Sequence, residues 1–187
     1  MLYLQTNQAK TIRSFNPIIM IGLFLVLLLV RTTTFWIAPS VFSNWDLLLP
    51  FMVYYGQRRP LFEGLLLWFV LAHLYTLQSV APVGVFIIYY LLIFVVSRLI
   101  SEAFFANSGM SILGLMTVLV GLSRIILPLV AGAFNSGWGL WSWNNLHPGI
   151  LSMNIVLGWL CYLGLGVIDQ LTFKGPREIL DLGEGIA

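Results

Sequence analysis

The sequence predicts an all-α membrane protein of six transmembrane helices with both chain ends on the cytoplasmic side, and three observations predict it. The chain is 59% hydrophobic and only 9% charged, with a mean hydropathy of +0.95. Soluble domains carry about 25% charged residues, so the solvent of this chain is lipid. Its apolar residues gather into six runs, and at about 20 apolar residues per crossing its 187 residues hold six helices and little else. The basic residues, finally, fall in the connections of one side. Together these imply one integral membrane domain over 1–187, without an extramembrane catalytic module. The net charge of +2 is too small to suggest a nucleic-acid partner.

Each element follows from local pattern. The first apolar run begins at Pro17 after Lys10 and Arg13. It resembles the core of a signal peptide, but it continues past Arg31 to Ala38 and reaches spanning length, so a first span over 15–38 that stays on the chain is expected. After a polar break, Asp46 opens a short second segment over 46–57, closed by Gln57-Arg58-Arg59-Pro60. About 12 residues reach only about 18 Å as a helix, which fits a thin span, a tilted one or a re-entrant arm. A full third helix over 61–79 ends at a Pro82–Gly84 turn. A fourth over 83–99 exits at Arg98 and Glu102, and a fifth over 110–134 carries Arg124 and Pro128. A tryptophan-rich connection leads to a sixth helix over 149–168 and a cytoplasmic tail over 173–187, where Ile179, Leu180 and Leu182 among charges suggest a surface helix.

Orientation comes from lysine and arginine. Lys10, Arg13, Arg58, Arg59, Arg98, Lys174 and Arg177 share one side, seven of the nine basic residues. The opposite connections, 39–45, 80–82 and 135–148, contain none. This is the positive-inside bias for six crossings, and it requires the short second segment to cross.

Few residues offer chemistry. Arg124 lies about 14 residues into the fifth helix, where an unpaired arginine costs about 2.5 kcal/mol or more; it is expected to contact a carbonyl or carboxylate from another element, as a helix pin or a ligand contact, the alternative being a side chain that snorkels to the outer face. His73, alone in the third helix, is read as a packing group that hydrogen-bonds its neighbours, since a proton relay or metal site needs partners and His147 lies in a loop. Arg31 and Asp46 flank the first outer connection, where they are expected to pair. Glu63 and Asp169 sit at cytoplasmic helix ends, where carboxylates hydrate cheaply. Trp138, Trp141 and Trp143 suit an interfacial belt or a docking surface. Gly114 and Gly121, seven apart on one face, and Gly158 are candidate partner contacts, because helices in lipid associate through small residues. The single cysteine, Cys161, excludes an internal disulfide. No metal constellation, nucleophile motif or phosphate-cradling glycine loop is recognisable, so neither cofactor nor enzymatic activity is expected.

The order Asn44-Trp45-Asp46-Leu47-Leu48-Leu49-Pro50, then Arg58-Arg59-Pro60, Glu63-Gly64-Leu65, and Ser79-x-x-Pro82-Val83-Gly84 leading to Tyr89-Tyr90 resembles MreD, the rod-shape-determining membrane protein family of bacteria. Those motifs cover about a third of the chain. In that family a short second helix, a basic turn, a glycine opening the third helix and a small-residue turn recur in this order. The chain departs from it at Thr76, where such sequences usually carry an aspartate. The resemblance implies a multi-pass protein of the bacterial inner membrane, non-enzymatic, in hetero-oligomeric contact with an MreC-like protein and peptidoglycan synthase components that build the side wall. It also implies a fold similar to the substrate-binding components of energy-coupling-factor transporters, which opens the alternative of a small-molecule (vitamin-like) binding subunit.

Overall fold

The computed structural model describes residues 2–37, 45–79, 82–103, 109–134, 148–172 and 174. Among them the chain is all helical. Six helices follow in order: α1 Leu2–Ile37, α2 Leu48–Arg58, α3 Leu61–Thr76, α4 Val83–Ala103, α5 Gly109–Ala133 and α6 Pro148–Leu171. Four contain stretches long and apolar enough to cross a membrane: Thr11–Thr33 of α1, Gly84–Ser101 of α4, Gly109–Ala133 of α5 and Pro148–Leu171 of α6. The chain thus has transmembrane character.

The short second segment forms the centre of the bundle. Every residue from Leu48 to Gly56 is buried, and α2 packs against α3, α4, α5 and α6. Its sequence, Leu-Leu-Pro-Phe-Met-Val-Tyr-Tyr-Gly, has no polar stripe, and a helix apolar on every side belongs in an interior. Eleven residues give about 16 Å of helix, less than a hydrocarbon core of about 30 Å. Burial on all sides lets so short a helix persist in a membrane, because its ends meet protein.

The neighbours bury narrow faces toward it. On α4 these are Phe86, Tyr89, Tyr90, Ile93, Phe94 and Ser97, and on α5 Ile112, Leu115, Met116, Leu119, Val120 and Ser123. Both repeat at alternating steps of three and one, the spacing of a single helical face. The α2–α4 crossing is close because Gly56 has no side chain: a Cβ there would lie 2.9 Å from the Phe94 carbonyl oxygen and crowd Ser97. Gly64 serves likewise, with the Phe94 ring 2.8 Å from where its Cβ would be.

At 36 residues, α1 is about 54 Å long and begins well before the apolar run that marks it in the sequence. Apolarity reports the part of a helix immersed in lipid, not the whole helix, and Pro17 does not end it. It buries one stripe, Asn16, Met20, Phe24 and Leu28, and Phe24 meets Phe51 of α2 edge to face at 5.3 Å. The far end of α5 likewise runs through Pro128 to Ala133.

Candidate functional site

The bundle is closed by a buried polar cluster at each end of α2. Arg59, one residue past its C-terminus, is 1% exposed. Its Nη2 donates to Asp169 Oδ1 at 2.5 Å and to Asn16 Oδ1 at 2.7 Å. Asn16 Nδ2 donates to Asp169 Oδ1 at 2.9 Å and to Thr172 Oγ1 at 2.5 Å. The Tyr54 hydroxyl donates to Asp169 Oδ2. Around this core, Arg59 Nη1 lies 3.6 Å from Glu63 Oε1, which also accepts from Lys174 Nζ at 2.5 Å. Arg98 donates to the Arg59 carbonyl at 3.3 Å. Five helices and the residue at 174 meet here. Burial holds the Lys174 ammonium below its usual pKa, with the Glu63 carboxylate pulling the other way.

Asp169 is therefore not a cheaply hydrated end residue, as its position suggested. It is the buried hub of the basic end, with both oxygens occupied. Charges so placed are held only when paired and hydrogen-bonded. One signal could have found it: Asp169 continues the four- and three-residue spacing of Asn154, Gly158, Tyr162 and Leu165, the buried face of α6. Asn16 likewise continues the stripe of Met20, Phe24 and Leu28.

At the other end, Asp46 precedes α2. Its Oδ1 accepts from the Tyr90 hydroxyl at 2.6 Å and the Leu49 amide at 3.2 Å, and its Oδ2 from the Tyr89 hydroxyl at 2.9 Å. The Asp46 amide donates to Asn154 Oδ1 at 2.8 Å, joining α6. Arg31 Nη1 donates to the Tyr75 hydroxyl at 2.8 Å, and its guanidinium lies 5.3 Å from the centre of that ring. Tyr75 packs edge-on against Tyr90 at 5.5 Å. Arg31 and Asp46 are thus linked through two tyrosines. A carboxylate with two phenol donors and a backbone amide is saturated, and the Leu49 bond also caps the first turn of α2.

The remaining candidates scatter. Arg124 is half-buried on α5, close enough to Tyr89 to act on it electrostatically, and its Nε is buried with no hydrogen-bond partner among the described residues. The expected bond to a carbonyl or carboxylate of another element is not found there. His73 is exposed on α3, with its ring stacked on Phe69 at 6.2 Å. Thr76 is buried, and its hydroxyl donates to the His73 carbonyl at 2.6 Å. The glycines divide: Gly114 and Gly121 are exposed, with nothing within 4 Å of an added Cβ, whereas Gly158 is buried and faces Met116 Sδ at 3.6 Å. Gly158 packs α6 on α5 inside the bundle. Trp138, Trp141, Trp143 and most of the tail lie outside the described residues. Among the described residues no three His, Cys, Asp or Glu side chains gather to hold a metal.

Compared with family models, with curated proteins and with solved structures, the chain matches none. Fold and clusters define a class: a helical protein of transmembrane character, built round a buried central helix with a polar cluster at each end, of which the basic one leaves Arg59 Nε without a partner among the described residues.

Proposed function

We propose that this chain is a non-enzymatic membrane scaffold of MreD type. It crosses the bacterial inner membrane six times with both ends in the cytoplasm, and binds an MreC-like partner and synthase components of the side-wall machinery. The observation that carries the reading is the outward face of α5. Gly114, Thr117, Gly121 and Ile125 are exposed along it, and at both glycines an added Cβ meets nothing. A partner helix can approach the backbone there, as association in lipid requires. The carboxylates of buried Asp169 and half-buried Asp46 support it too, since each spends its oxygens on internal donors and so acts as a lock. The resemblance over residues 44–98 supplies the identity of the partners.

The topology is supported by the grouping of Arg58, Arg59, Arg98 and Lys174 about one end of α2, away from Asp46. Reporter fusions after Arg59 and Glu102 should read cytoplasm, and fusions near Asn44 and Asn145 should read outside. An outside signal at Arg59 would sink the six-crossing arrangement.

A second reading, a binding subunit for a small solute, is favoured by one observation. Arg124 Nε and Trp45 Nε1 are buried donors without partners among the described residues, both on the side of the Asp46 cluster. The two readings separate by pull-down. Gly114→Leu and Gly121→Leu should insert, remain monodisperse and lose the MreC-like partner. Retention of every partner by both variants, with solute uptake lost in Arg124→Leu, would replace the scaffold with the binding subunit.

A further inference from the structure

A cavity of about 370 Å³ lies at the basic end, between the start of α5 and the last turns of α6. It shares no residue with the outward α5 stripe, so its chemistry is independent of the scaffold reading. One wall is apolar, formed by Ile112 of α5 and by Leu163 and Val167 of α6. Leu163 and Val167 are 37% and 53% exposed and continue an outward row with Val156 and Leu160. The cavity therefore opens beside a strip of α6 fit to lie against acyl chains.

The polar wall carries Arg58, Tyr162, Asp169 and Lys174. Asp169 is consumed by Arg59, Asn16 and Tyr54, and Lys174 by Glu63. Arg58, by contrast, makes no ion pair within 4 Å among the described residues, and Asp169 acts on it only at longer range. Its Nε donates to the Tyr162 hydroxyl at 3.4 Å, and that hydroxyl donates in turn to Gln57 Oε1 at 2.6 Å. The chain of contacts holds the guanidinium by its inner edge. Its two terminal nitrogens make no hydrogen bond among the described residues, and behind Tyr162 the Gln57 amide nitrogen is a buried donor without a partner there.

A planar fork with free donors matches the two oxygens of a phosphate ester, and a basic pocket between helices at this end of a membrane protein is suited to an anionic headgroup. From the joining of free fork, apolar wall and exposed α6 row, we infer that this cavity binds the phosphate of an anionic phospholipid, with its acyl chains along α6. The shared chemistry, a phosphate oxyanion, could also be met by free phosphate. The apolar wall and its outward continuation favour the lipid.

The test is native mass spectrometry of the full chain in neutral detergent, with equal amounts of a phosphatidylglycerol and a phosphatidylcholine of the same acyl chains. The wild type should retain phosphatidylglycerol in preference by about fivefold, the factor one arginine contributes at a charged membrane surface. Arg58→Gln should bring the two lipids to parity. Because that change also removes the Tyr162 contact, Gly166→Leu provides an independent arm. Gly166 lines the cavity, and a Cβ there has nothing within 4 Å, so leucine should fill the space and expel the lipid from a folded protein. Excess inorganic phosphate should leave the lipid bound. Equal retention of both lipids by the wild type, or an unchanged preference in Gly166→Leu, would overturn the assignment. Complete displacement by inorganic phosphate would overturn it as well, in favour of the free anion.

Discussion

Arg59→Leu tests whether the polar cluster at the basic end locks the bundle. The substitution removes the Nη2 donor from Asp169 and from Asn16. Asp169, with a side chain 9% exposed, keeps only Asn16 and Tyr54, and Glu63 keeps Lys174. Removing one partner of a buried pair costs about 3–5 kcal/mol. Because two donors remain on the carboxylate, the lower part of that range, about 3 kcal/mol, is expected, roughly a hundredfold shift toward the unfolded form. Asp169→Leu should cost more, since Arg59 would be left with Asn16 and a Glu63 oxygen 3.6 Å away. The double variant removes both charges and should be less destabilised than the two singles added, by about 2–3 kcal/mol. The assay is a double-mutant cycle by titration of a denaturing detergent into mixed micelles, followed by tryptophan fluorescence. Additivity within about 0.5 kcal/mol would show that the charges do not act as a pair and refute the lock.

Gly56→Ala should cost about 1–3 kcal/mol by overpacking against Phe94 and Ser97, whereas Gly22→Ala, with nothing within 4 Å, should gain up to about 1 kcal/mol of helix propensity. The same titration reads both, and equal effects would contradict the close α2–α4 crossing. Tyr90→Phe should lose about 1–3 kcal/mol by taking a donor from half-buried Asp46; an unchanged midpoint would mean that water replaces the phenol. His73→Leu should stay within about 0.5 kcal/mol of the wild type, since the ring is exposed and, among the described residues, stacks on Phe69 alone. A larger loss would place His73 against something outside the bundle.

The sequence made the helices legible because apolar run length answers directly to membrane thickness. It also exposed α2 as anomalous, through its brevity and the Arg58-Arg59 pair. Which of several equivalent residue types is buried stayed hidden. Gly121 and Gly158 look alike in a string of letters, yet one lies open and the other faces Met116, a difference set by how α5 turns against α6. Position along the run places Asp169 at a hydrated helix end, whereas its partners Asn16 and Arg59 lie 153 and 110 residues away. Arg124 and His73 stood out as single polar residues in apolar runs, but the clusters formed elsewhere, around Asp46 and Asp169. Both of these sit at the edges of runs, where a hydropathy profile is least sensitive.

The sealed position of α2 bears on how the chain is made. Insertion into a bilayer is decided segment by segment on about 20 apolar residues, and an 11-residue helix ending in Arg58 and followed by Arg59 falls short of that. Its anchors arrive late: the Asp46 amide waits for Asn154, synthesised 108 residues afterwards, and Arg59 waits for Asp169. Until α6 emerges, α2 is held at its ends, among the described residues, only by α1, α3 and α4, through Tyr89 and Tyr90 on Asp46 and through Asn16, Glu63 and Arg98 on Arg59, and the side that α6 covers is open. A chain halted before Pro148 should therefore leave a cysteine placed at position 53 open to a membrane-permeant thiol reagent, while the same cysteine in the finished protein stays shielded. Equal labelling in the two would mean that α2 is seated before its partners exist. Assembly here turns on the centre, with α6 completing the surroundings of α2.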